Sequence, residues 1–141
     1  MSDTHLHWTR FEADRAFTAA ARARRRAALA RCFGCAVHSL PVYDEAPARR
    51  PGPRGVREIP LDAIAGTTEP NRAAQFDRHF RPAPLTRGRW QRIWTALHQG
   101  VTLPPISVVQ VRDGYAIRDG HHRVSVAKAR GALSITAVVA G

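Results

Sequence analysis

Asp119-Gly120-His121-His122-Arg123 gathers several kinds of phosphate-handling chemistry within five residues. Arg123 offers a fork of donors that matches phosphate oxygens. His121 and His122 can donate to a phosphate or move a proton at neutral pH. Gly120 permits a sharp turn and lets a ligand approach the backbone. Asp119 can accept from free N–H groups of the next turn, or hold Mg²⁺ beside a bound nucleotide. A helix opening at His121 presents unpaired, partly positive N–H groups, a ready anion site. The pattern fits phosphate recognition, with a strand–Gly–helix turn carrying surface histidines as the plain alternative. Joint metal ligation by His121 and His122 is disfavoured, because adjacent helical residues point about 100° apart.

A second cluster is Cys32-x-x-Cys35 with His38 at the same interval. The ligand types suit zinc, with His5 or His7 as a fourth ligand, but no second well-spaced pair accompanies them. A redox pair usually opens a helix, whereas this one closes one. Zinc is therefore not expected, and two ordinary thiols in a reducing compartment are.

These residues need elements to position them. Ile106–Val111 is β-rich, Asp113-Gly114 signals a hairpin, and Tyr115–Arg118 returns as its second strand. His121–Arg130 reads as a helix stopped by Gly131, and Ser134–Val139 as a final strand. Upstream, Trp90, Ile93, Trp94 and Leu97 form a helical stripe that predicts core. "REIPLDAIAG" predicts a short strand and a helical turn. Phe76 and Phe80, at i, i+4 spacing, predict a short helix ending at Pro82. From about Thr9 to Ala30 the chain lacks Pro and Gly and predicts a helix, with Trp8 and Phe11 opening a thin apolar face. Arg22, Arg24, Arg25 and Arg26 put charge on nearly every side of it, a DNA-contacting face or a solvated one. Residues 41–56 are dense in Pro, Gly and Arg and read as a linker. The expected organisation is a basic helical arm (1–40), a linker (41–56) and a small α+β domain with a mixed sheet (57–141).

The net charge is +11, from 22 basic and 11 acidic residues, which points to polyanionic partners, nucleotide or DNA. Lys128 is the only lysine, a habit that high-GC coding would produce. No apolar window is long enough for a membrane span and no secretory signal is read, so the cytoplasm is the expected compartment.

From "EIPLDAI" through "LPPISVVQV" and "RDGYAIRDG" to "DGHHRVSVAKARG" and "ITAVV", the chain resembles the ParB/sulfiredoxin superfamily. Within it the closest resemblance is to small bacterial ParB-like proteins with a DGHHR box. The resemblance implies a small α+β domain with nucleotide phosphates held at Gly120, His121, His122 and Arg123. Partition proteins carry a Gly-Glu-Arg-Arg box for a nucleoside triphosphate. Sulfiredoxins carry Gly-Cys-His-Arg with a catalytic Cys; His121 stands there instead, so sulfinic acid reduction does not carry over. Free-serine kinases carry Asp-Gly-His-Thr-Arg, which would make Asp119 a Mg²⁺ ligand and catalytic residue beside His121, with Glu69 or Asp77 as an upstream acid. The helix-turn-helix segment of full partition proteins is not in this sequence, so centromere-like reading is not expected.

Three functions remain open. One is an NTP-binding domain (CTP or ATP) in DNA-associated or regulatory work. The second is a small Mg²⁺-dependent phosphotransferase or nucleotide hydrolase. The third is a non-catalytic interaction domain. A homodimer is also open.

Overall fold

A computed structural model describes residues 2–31, 39–44 and 55–140. Cys32, Cys35 and His38 lie outside the described residues, as does most of the Pro/Gly/Arg-rich segment. Five strands form one mixed sheet: β1 (Gly55–Pro60), β2 (Ile64–Thr67), β3 (Ile106–Val111), β4 (Gly114–Asp119) and β5 (Ser134–Ala140), in the order β1-β5-β3-β4-β2. β1 runs antiparallel to β5, and β3 antiparallel to β4. β5 is parallel to β3 and β2 is parallel to β4. The helices are α1 (Ser2–Arg31), α2 (Pro70–Ala73), α3 (Arg87–His98) and α4 (His121–Ala129). The chain is thus an α+β fold with a mixed sheet.

α4 is the central helix. Val124 and Ala127 join the core over the sheet with Ile106, Val108 and Ile117. Val126 faces the other way, into a second cluster with Trp90, Trp94, Ala13 and Phe17. A helix packed on both sides needs no polar face, which accounts for the nearly uniform burial of His121–Ala127. α3 presents its Trp90/Trp94 stripe as expected. Trp90 is fully buried, and its Nε1 donates to Ser125 Oγ of α4 at 2.9 Å.

α1 packs on α3 through residues the periodicity did not single out. Trp8 and Phe11 are exposed; Ala13 and Phe17 carry the contact, with Phe17 edge-on to Trp90 at 5.5 Å. Asp14 adds polar ties, accepting from Arg87 at 2.8 Å and Gln91 at 2.7 Å.

Three other expectations shift. The helix drawn to Pro82 stops at Ala73, because Asp77 competes for the backbone: its Oδ1 accepts the N–H groups of His79 (2.9 Å) and Arg81 (3.0 Å). Phe80 then takes a left-handed φ of 60°. β2 was not anticipated; four residues with an internal glycine carry little strand signal, and the parallel partner that stabilises them lies far along the chain. In the hairpin, Arg112 and Asp113 make the turn, and Gly114 is the first residue of β4. Among the described residues no helix is long and apolar enough to cross a membrane.

Candidate functional site

β4 ends at Asp119 and α4 begins at His121, so the Asp-Gly-His-His-Arg stretch spans the expected strand–helix junction. Gly120 is the N-cap, at φ 115°. A Cβ there would lie 2.4 Å from Ile106 Cγ2, so both backbone and packing demand glycine. Gly120→Ala is expected to cost about 2–4 kcal/mol, combining left-handed strain with overpacking; urea unfolding of the variant checks it.

Asp119 does not cap the helix. No side chain does. Asp119 is exposed, and its Oδ2 accepts from Arg123 Nη2 at 3.1 Å instead. An i, i+4 ion pair outcompetes the cap because Arg123 is held in place from the other side, where its Nη1 donates to the carbonyls of Pro104 (2.5 Å) and Pro105 (3.0 Å). Arg123 therefore also anchors the segment leading into β3. The helical ladder starts with Val124 N–H to Gly120 O at 3.0 Å, leaving the N–H groups of His121, His122 and Arg123 outside it.

His121 and His122 are buried rather than on the surface. His121 Nε2 lies 2.6 Å from Thr67 Oγ1, at the end of β2. Phe76 backs both rings, stacked on His121 at 6.3 Å and edge-on to His122 at 5.2 Å. Burial, then the positive charge of Arg72, pushes His121 from 6.5 to about 4; burial, then Arg89 and Arg72, does the same to His122. At neutral pH both are uncharged imidazoles beside arginines that cannot give up their protons.

The unfolded chain binds more protons than the folded one between those values. Stability is therefore complete above about pH 6.5 and is lost as the pH falls toward about 4. Urea melts at pH 7.0, 5.5 and 4.5 are expected to show a decline on the order of a few kcal/mol; constant stability over that window would contradict the buried neutral pair.

The junction opens into a basin of about 140 Å³. Arg72 of α2, Arg89 of α3, Arg118 of β4 and Arg123 of α4 line it, together with Glu69. Arg89 is exposed and has no hydrogen-bond or ion-pair partner among the described residues. Arg72 is half-buried and donates to Gln75 at 3.2 Å. The sequence reading missed Arg72, Arg89 and Arg118. Arg118 adjoins the box and could have been included. Arg72 and Arg89 arrive from separate helices, and no local pattern marks them.

The remaining candidates lie elsewhere. Asp77 sits in the turn that ends the α2 region. Arg22, Arg25 and Arg26 are exposed on α1, Arg24 is half-buried, and none lines the basin. His5 and His7 are exposed on α1.

No protein-family model matches the chain, and no curated protein does. Among solved structures, the crystal structure of sulfiredoxin from Arabidopsis thaliana is similar over 60% of this chain and 83% of that one, with 21% identity and a TM-score of 0.39.

Proposed function

We propose that the chain is a ParB/sulfiredoxin-like domain that binds a nucleoside triphosphate, ATP or CTP, by its phosphate tail. The observation that carries this reading is the convergence of Arg72, Arg89, Arg118 and Arg123, from separate elements, on the uncapped N-terminus of α4. Guanidinium forks and free N–H groups together suit a polyanion. At about 140 Å³ the basin is well below the 300–1,000 Å³ of whole-ligand pockets, so phosphoryl groups enter it while base and ribose stay outside. Calorimetric titration with ATP, CTP, adenosine and cytidine, with and without Mg²⁺, tests this. At least one triphosphate is expected to bind and neither nucleoside to do so; nucleosides binding as tightly as triphosphates would overturn it.

A second reading, phosphoryl transfer or nucleotide hydrolysis, draws on Glu69 and Asp119 both lining the basin. Among the described residues no group of three or more His, Cys, Asp or Glu side chains is arranged to hold a metal ion. A Mg²⁺ here would be one carried by the nucleotide, with Asp119 or Glu69 completing its shell. The neutral imidazole of His121 would be the proton carrier. Turnover of ATP, ADP or CTP with free amino acids favours this reading over simple binding. Absence of any nucleotide binding would leave the interaction-domain reading.

The exposed arginines of α1 and the +11 charge support an additional contact with DNA. Duplex affinity is then expected to fall steeply between 50 and 200 mM salt, by about tenfold or more for a few phosphate contacts. A salt-independent affinity, or no duplex binding at low salt, would remove DNA from the partners.

A further inference from the structure

A second cavity, of about 470 Å³, lies between α1 and α4 and is closed on one side by the segment around Phe80. It shares no lining residue with the phosphate basin, and its volume is that of a small-molecule site. Ala16, Ala20 and Ala23 form one wall, and Phe80 and Leu61 continue the apolar lining.

Two donors from α4 face this lining. Ser125 is 2% exposed; its Oγ accepts from Trp90 Nε1, and no acceptor for its own proton is present among the described residues. A buried hydroxyl proton without an acceptor is costly to leave unmatched. Lys128, the sole lysine of the chain, stands three residues later on the same helical face. Its half-buried ammonium lies 5.5 Å from the centre of the Phe80 ring and makes no hydrogen bond or ion pair among the described residues. Burial lowers its pKa, while the charges of Asp62 and Asp77 oppose that shift and favour the ammonium. Asp77 is already engaged by Arg81 and by two backbone N–H groups, and Asp62 lies beyond ion-pair distance of Lys128. An ammonium and a hydroxyl one helical turn apart, beside an alanine wall in a cavity that Asp62, His79 and Arg81 also line, match the two oxygens of a carboxylate.

We propose that the α1/α4 cavity is a second ligand site, taking a small carboxylic acid with an aliphatic or aromatic tail. The carboxylate accepts from Lys128 Nζ and Ser125 Oγ, and the tail lies along the alanine wall and Phe80. The site goes beyond the nucleotide reading and does not depend on it. Strain at Phe80, a non-glycine residue at φ 60°, falls at the edge of this cavity, where backbone strain often accompanies a binding function.

The Trp90 indole N–H, bonded to Ser125, reports on the site directly. The full chain is titrated with hexanoate and, separately, with 1-hexanol, and this NMR signal is followed. Hexanoate is expected to move it saturably and to bind at least tenfold more tightly than hexanol. Lys128→Met is expected to weaken hexanoate at least tenfold. Ala19→Glu, at an exposed position of the same wall, is expected to do likewise by repulsion, and it keeps the test available should Lys128→Met fail to fold. Equal affinity for hexanoate and hexanol, a stationary Trp90 signal, or unchanged binding in the folded variants would overturn the proposal.

Discussion

Replacing Arg72 and Arg89 together with alanine is expected to weaken pyrophosphate binding about 100-fold while leaving the fold intact. Each guanidinium contributes on the order of 1.5 kcal/mol or more to a phosphate contact, and about 1.4 kcal/mol is a factor of ten. Neither side chain is core: Arg89 is exposed and Arg72 half-buried, its one hydrogen bond going to Gln75. Removing two positive charges also relieves the pressure on the histidines, so His121 and His122 should titrate above about 4 in the variant. Calorimetry measures the first effect and NMR titration of the imidazoles the second. Undiminished affinity in the folded double variant would mean that these arginines do not hold the anion. Arg123→Ala is a poorer probe, because Arg123 also secures the carbonyls of Pro104 and Pro105.

Trp90→Ala is expected to cost about 3–5 kcal/mol, a large share of the stability of a domain this size. Trp90 is fully buried where α1, α3 and α4 meet. It supplies the ring against which Phe17 packs edge-on, and its indole N–H donates to Ser125 Oγ. The variant should therefore loosen α1 first. Denaturant unfolding measures the loss, and limited proteolysis should cut within α1 sooner than in the parent. Unchanged protection of α1 would show that Asp14 and its ties to Arg87 and Gln91 hold that helix without the aromatic pair.

These two sites differ in how far they were legible beforehand. The α3 stripe follows from helical periodicity, a local property, and Trp90 and Trp94 are buried accordingly. The β3–β4 hairpin and the glycine before α4 are equally local, set by strand alternation and turn chemistry. The Arg72/Arg89 pair was not legible, because its meaning depends on α2 and α3 converging over the end of β4. The same limit explains α1, where Phe17 rather than Trp8 or Phe11 meets the core. An alanine-rich helix has no strong apolar face, so the partner helix selects which side is buried. The short helix expected to end at Pro82 failed for a different reason: Asp77 offers the backbone closer acceptors than a helical turn does. The paired histidines read as phosphate donors, with surface groups on a turn as the alternative; their burial was in neither reading. Their burial, and with it their neutral state, depends on Thr67 and Phe76, brought in from well upstream.

The central claim is that the open N-terminus of α4 and its surrounding arginines hold phosphate. The most direct measurement follows the backbone amide signals of His121, His122 and Arg123 in a ¹H–¹⁵N spectrum as pyrophosphate is added. The account predicts that these three move together, saturably and further than any others. Shifts absent there, or confined to the arginines of α1, would contradict it.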